Sequence, residues 1–232
     1  HPDDEQAWEE QESLGKNEMW YVDSASAADA SVISGFVRDM SAEAVEQSLA
    51  NGDILSCLAG YSVKGGDVIN INTGTVHALK KGTIVAEIQE NSDVTYRLYD
   101  YDRVGQDGKK RPLHISQALR ALHYEASKHA VVHPDYRLNT VTNLKRCRFF
   151  TVNAIDLDRP LQRDYAPLDS FVIYMCVEGA VQVDALDAEE EREVNLAKGE
   201  ALLIPACLND IVLRNTSGNA RILEIYVEPD LD

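Results

Sequence analysis

Two stretches of the chain repeat one pattern 133 positions apart, and no other feature of the sequence constrains its fold as strongly. "KGGDVININTGTVHAL" begins at Lys64 and "AKGEALLIPACLNDIVL" begins at Ala197; aligning Gly66-Asp67 with Gly199-Glu200 sets His77 against Asp210. In each copy a glycine and an acidic residue precede an alternating or apolar strand, then a small-residue turn, then another strand. Each copy therefore predicts one corner of a β-sandwich. With 232 residues and 44% hydrophobic content, the chain can bury a proper core, as one large all-β domain or as two smaller ones.

Around the second copy, "SFVIYMCVEGAVQVDAL" gives two β-rich runs broken at Glu178-Gly179, which predicts a hairpin, and "NTSGNARILEIYVE" adds a turn and a strand. The first half carries two helix signals. One covers residues 42–50, with Ser41 as N-cap and Gly52 shortly after its end; the other covers residues 115–123, where Ile115, Leu119 and Leu122 share a face. Residues 124–148 are polar and basic with no clear period. They are expected to connect a first domain, residues 1–123, to a second, residues 149–232.

The 39 acidic against 22 basic side chains give a net charge of -17, which disfavours nucleic acid and anionic membrane surfaces. An anionic substrate must therefore find a local cluster of Lys and Arg. No apolar run approaches the ~20 residues of a membrane-spanning helix. Cys57, Cys147, Cys176 and Cys207 lie far apart without a C-x-x-C pair, a pattern of buried, reduced thiols in a cytoplasm. The chain opens on His1 rather than Met, which reads as a processed or truncated polypeptide.

If "GTVHALKKGTIVAEIQ" is a hairpin turning through Lys81, Gly82 and Thr83, His77 and Glu87 lie opposite one another on one face. Alone, that pair reads sooner as a His-Glu pair on a solvated sheet surface. The N-terminus adds a second imidazole, His1, and a carboxylate, Glu18, that leads into an apolar strand over residues 19–22. Two imidazoles and a carboxylate leave an open position on zinc, as in catalytic metal sites.

Five motifs, "HPDDE" at 1–5, "GKNEMWYV" at 15–22, "GTVHA" at 74–78, "EIQENSDVTYRLYDYDR" at 87–103 and "DGKKRPLH" at 107–114, resemble in order and spacing those of the type I, zinc-dependent mannose-6-phosphate isomerases, in particular their short bacterial branch. The resemblance is dense in the first half and rests mainly on strand pattern in the second. It implies an all-β-dominated bicupin, two jelly-roll-like β-barrels with a few short helices, and one zinc per chain in the first. Carried over by position, it makes His1, Glu18 and His77 metal ligands, and Lys16, Glu87 and Arg97 catalytic, with Arg97 the favoured catalytic arginine. Lys16, Arg97 and Asp93 become substrate contacts.

The family's remaining ligand, a glutamine in a Q-x-H pattern, would fall before residue 1, so the resemblance also implies a missing N-terminal segment, and this chain alone is expected to bind zinc weakly and to have little or no isomerase activity. Asp210 stands where the first copy has His77, and the second cupin is expected to be metal-free. The implied reaction interconverts mannose 6-phosphate and fructose 6-phosphate through an enediol(ate). The alternative is a non-catalytic cupin that binds a sugar phosphate or a metal. The expected partner is a small sugar phosphate in the cytoplasm, with no nucleic acid and no membrane, and a monomer is favoured although the sequence does not fix oligomeric state. Tyr99 and Tyr101 are read as wall or core, and Asp100, Asp102 and Arg103 as pairing among themselves. His114, His123, His129 and His133 are left outside the site.

Overall fold

The computed structural model describes residues 1–25, 30–188 and 192–228. The chain divides into two units, residues 1–133 and 134–232. In the first unit the order is α1 (Asp4–Gln11), β1 (Glu18–Ala25), β2 (Ser31–Phe36), α2 (Ala42–Asn51), β3 (Leu58–Ser62), β4 (Val68–Ile71), β5 (His77–Leu79), β6 (Thr83–Gln89), α3 (Ile115–Ala121) and β7 (Val131–Val132). These strands form two antiparallel sheets, β6-β1-β4-β7 and β3-β2-β5. Trp20 and Val22 of β1, Ile69 and Ile71 of β4 and Val32 of β2 form one buried cluster, so the two sheets close on a shared core. Among the described residues no helix is long and apolar enough to cross a membrane.

The second unit contains β8 (Thr140–Arg146), β9 (Thr151–Leu157), β10 (Leu161–Asp164), β11 (Val172–Glu178), β12 (Ala180–Ala185), β13 (Arg192–Ala197), β14 (Ala201–Ile204), β15 (Asp210–Asn215) and β16 (Ala220–Tyr226). Its sheets are β10-β15-β12-β13 and β14-β11-β16-β9-β8. Val172, Tyr174 and Cys176 of β11 meet Val181 and Val183 of β12 and Leu213 of β15 in its core. The all-β expectation of two sandwich-like halves with a few short helices describes this architecture.

The repeat is a structural one. Gly66 and Gly199 both adopt φ +88°, a left-handed geometry that glycine enters without a Cβ penalty. Asp67 accepts from the Lys64 amide at 2.9 Å, and Glu200 accepts from the Ala197 amide at 2.8 Å. The acidic residue after each glycine thus closes the same turn. His77 opens β5 and Asp210 opens β15.

Both expected hairpins are corrected. The chain breaks at Glu178-Gly179, but β11 pairs with β14 and β16 while β12 pairs with β13 and β15. Gly179, at φ +69°, passes the chain from one sheet to the other instead of folding it back. Likewise β5 pairs with β2, and β6 pairs with β1. Sheet-to-sheet crossing and hairpin return use the same turn residues, so the local sequence does not separate them.

The boundary between the units falls inside residues 124–148, which also carry two strands. Val131 and Val132 pair with Ile69 and Val68, and β8 is an edge strand on β9. Only Leu144 of β8 is buried, because an edge strand with one wet face needs few apolar positions, and that hid its period. Ser41 caps α2 by accepting from the Ala44 amide, and Gly52 ends it at φ +76°, as expected. Helix α1 was not expected: Asp3 caps it, but only Ala7 of its polar sequence is buried. Cys57 and Cys176 are buried, whereas Cys147 is half-buried and Cys207 exposed.

Candidate active site

Glu18 is the first residue of β1, which lies between β4 and β6 and pairs there with Ile71 and Gln89. That central position leaves its carboxylate 1% exposed, and a charge so placed requires partners. His1 Nε2 lies 2.9 Å and Lys16 Nζ 2.8 Å from Glu18 Oε1, and His77 Nε2 lies 3.6 Å from Oε2. Burial alone would raise this carboxyl, but the hydrogen bond from His1, the charges of His77 and His1 and the hydrogen bond from Lys16 outweigh it and hold it down at about 2.

His77 reaches the same point from the other sheet. Its Nδ1 sits 2.7 Å from the Thr75 carbonyl, so Nδ1 carries the proton and the Nε2 lone pair faces Glu18. Burial first, then the charge of His1, pushes the imidazole down to about 4 and keeps it neutral. The rings of His1 and His77 stand 4.8 Å apart, and the Trp20 ring meets His77 edge-on at 5.3 Å.

The turn before His77 fixes both imidazoles. The Gly74 amide donates to the His1 carbonyl, and the Gly74 carbonyl accepts from the His123 amide, each at 2.8 Å. Gly74 has φ +78°, and a Cβ there would lie 2.7 Å from the Ala121 carbonyl and 2.8 Å from the His123 ring. Gly74→Ala is therefore expected to cost more than the ~1–2 kcal/mol of the left-handed geometry alone, because the clash adds to it. It should also loosen His1; a thermal midpoint equal to the parent's would contradict this.

One ligand atom from each of His1, Glu18 and His77 lies within 4.8 Å of the other two. His1 Nδ1 is buried without a hydrogen-bond partner. A neutral imidazole, a second imidazole with an orphaned nitrogen and an ionised carboxylate are a donor set that fits a metal ion of the zinc type. His77 already has the ligand tautomer, fixed by a backbone carbonyl.

His1 and His77 line a cavity of about 540 Å³, with the Glu18 carboxylate beside them. Glu87 also lines it, reached through β6: its Oε2 accepts from Trp20 Nε1 at 3.0 Å, and its Oε1 lies 3.7 Å from Lys16 Nζ. His77 and Glu87 thus share the cavity without being cross-strand partners; their partners are Ser34 and Trp20. Arg97 lines the wall, its NH1 donating to the Pro112 carbonyl at 3.1 Å. Tyr99 and Tyr101, edge-on at 5.0 Å, also form wall.

The expected substrate contacts divide. Lys16 is buried beneath the site with its ammonium on Glu18 and Glu87, and it does not line the cavity. Asp93 is exposed and does not line it either: Ser92 is buried with its hydroxyl on the Leu14 carbonyl, which leaves the next side chain outward.

Two further arginines line the cavity. Arg103 and Arg111 line the cavity and grip Asp100, itself 6% exposed: Arg103 NH2 donates to Oδ1 at 2.6 Å and Arg111 Nε to Oδ2 at 2.8 Å. The hydrogen bond from Arg111, more than that from Arg103, holds the Asp100 carboxyl at about 2. Asp100–Arg103 pairing was expected, whereas Asp102 turns to Lys110. The side chains remain 63% and 45% exposed, so each keeps N–H groups for a ligand. The available signal was the run "YDYDR" followed by "KKR", cations flanking one buried acid.

The family model described as "Mannose-6-phosphate isomerase, cupin domain" matches residues 140–227. Mannose-6-phosphate isomerase of Streptococcus mutans is 43% identical over 122 residues, covering 53% of this chain and 38% of that protein. The crystal structure of the mannose 6-phosphate isomerase from Bacillus subtilis superposes with TM-score 0.83 at 29% identity, over 98% of this chain and 70% of that one. YvyI, a mannose-6-phosphate isomerase homologue of B. subtilis, is 32% identical over 226 residues, which is 93% of this chain and 67% of that protein. A likeness of that extent means that the chain belongs to the mannose-6-phosphate isomerase family.

Proposed function

We propose that this chain interconverts mannose 6-phosphate and fructose 6-phosphate in the cavity of residues 1–133, with one zinc ion held by His1, Glu18 and His77. The observation that carries this reading is the convergence, on one cavity of about 540 Å³, of two imidazoles backed by the Glu18 carboxylate, the Glu87 carboxylate and three arginines. The chain spans about two thirds of the length of YvyI.

The reaction removes a proton beside a carbonyl and returns it to the neighbouring carbon. Zinc, when bound, supplies Lewis acidity toward the sugar oxygens. Glu87 is placed to hold the proton at Oε1, since Oε2 is occupied by the Trp20 N–H. The Arg97 guanidinium, permanently protonated, would steady the negative charge that develops on the sugar oxygen. Lys16, after His1 and His77, adds to the hold on the ionised Glu18, and its ammonium lies 3.7 Å from Glu87. Arg103 and Arg111, preorganised by Asp100, would receive the phosphate, a forked donor pair inside a protein of net charge -17.

The test is a coupled assay of the zinc-loaded chain with mannose 6-phosphate. Fructose 6-phosphate should form; binding without turnover would support the non-catalytic alternative. Arg103→Gln with Arg111→Gln should raise KM about 10–100-fold, the equivalent of one charged hydrogen bond of ~1.5–3 kcal/mol, with a smaller change in kcat. An unchanged KM would exclude the two arginines from the phosphate.

A further inference from the structure

We infer that His114 is a positioning residue for Arg97, an inference that rests on the reading of Arg97 given above. Arg97 lies in residues 91–100, which belong to no strand or helix. Its main chain therefore needs partners from outside any ladder. Both come from one residue: the Arg97 amide donates to His114 Nδ1 at 3.1 Å, and the Arg97 carbonyl accepts from the His114 amide at 2.8 Å. Two residues earlier, the Pro112 carbonyl takes the guanidinium NH1. The short run Pro112–His114 thus grips backbone and side chain of Arg97 together.

His114 occupies the N-cap position of α3 but makes no side-chain cap to its own helix. Its acceptor is turned to Arg97 instead. A backbone amide can only donate, so Nδ1 must be unprotonated, and the proton of the neutral ring is on Nε2.

The other end of α3 braces the same segment. Arg120 NH2 donates to Glu10 Oε1 at 2.6 Å, and Glu10 Oε2 accepts from the Tyr96 hydroxyl at 2.7 Å. Burial and then Glu10 push that phenol up to about 12, so it stays a donor. A closed circuit runs from His114 along α3 to Arg120, through Glu10 to Tyr96, and back to Arg97. It fixes a wall arginine that no sheet supports.

Three variants at position 114 test this in the zinc-loaded protein. His114→Leu keeps bulk but has no acceptor, and His114→Asn places Oδ1 where Nδ1 was. His114→Gln carries its acceptor one bond farther out. For Leu and Gln, kcat should fall up to about 100-fold, the scale of a displacement near 1 Å, with KM and zinc content near the parent's; Asn should recover most of the loss. In an Arg97→Lys background the Leu change should add little, since the group being placed is already altered.

Equal kcat for parent, Leu and Gln would overturn the inference, as would equal loss in Asn and Gln, which marks a folding role only. If Leu fails to fold, the Asn and Gln pair still decides. Unimpaired Arg97→Lys and Arg97→Ala would instead sink the reading of Arg97 itself.

Discussion

Glu18→Gln should remove bound zinc and isomerase turnover together while leaving the fold intact. The amide matches the carboxylate in shape and can still meet His1 and Lys16, so the packing at the head of β1 survives. What disappears is the negative charge that three cationic or nitrogen-bearing neighbours converge on within 3.6 Å. Changes outside the ligand shell already cost 10–100-fold in metal affinity, so loss of an anionic ligand should cost at least about 100-fold. His77→Ala should behave alike, since it removes the nitrogen that Thr75 holds in the ligand tautomer. Elemental analysis and the coupled assay read the two effects separately. Full zinc stoichiometry in Glu18→Gln would remove it from the ligand set; normal turnover without zinc would dispose of the metal-assisted reading.

The parts of this site that could be read in the sequence are those fixed by local chemistry. The turns at Gly66 and Gly199 need a left-handed residue followed by an acid that can close on the amide three positions back, and that requirement is visible as letters. The N-cap Ser41 and the terminating Gly52 of α2 are of the same kind. Motif order brought His1, Glu18, His77, Glu87 and Arg97 to attention, and the structure puts His1, His77, Glu87 and Arg97 on one cavity with the Glu18 carboxylate beside the two imidazoles.

Partner choice was not legible. A glycine turn states that the chain reverses direction, not whether the next strand pairs with the last or crosses to the facing sheet. His77 and Glu87 were expected to be neighbours in one hairpin, and they share a cavity because two sheets close on each other. For the same reason Lys16, two positions before a buried carboxylate, was expected to contact the substrate, and the structure buries it on Glu18 outside the cavity lining. Arg103 and Arg111 were passed over because pairing with Asp100 looked like an end in itself. A guanidinium has five N–H groups, so a carboxylate can orient it and leave it able to bind.

The second unit repeats one feature of the site within its own interior. Trp20 is paired across strands with Glu87 in the first unit, and Tyr174 with Glu224 in the second. Glu87 has a side chain 36% exposed to the cavity, whereas Glu224 is 0% exposed. Around Glu224 the interior is filled: Arg163 Nε donates to Oε1 at 2.7 Å, Asn153 Nδ2 to Oε2 at 2.8 Å, and the Tyr165 hydroxyl to Oε1 while touching that of Tyr174. Burial, more than any other influence, pushes both phenols above their ordinary range, so they remain donors throughout the working pH of a protein.

Glu224→Ala should therefore destabilise the second unit by about 3–5 kcal/mol, because it strands a guanidinium, a phenol and an amide around an empty space. Arg163→Met combined with Glu224→Leu should restore much of that loss, since an apolar pair of similar volume carries no unpaired group. Denaturant unfolding of the three proteins separates the cases. If Glu224→Ala lies within about 1 kcal/mol of the parent, the usual size of an ordinary substitution, water must reach the carboxylate readily. The interior of the second unit would then be an open site like the first.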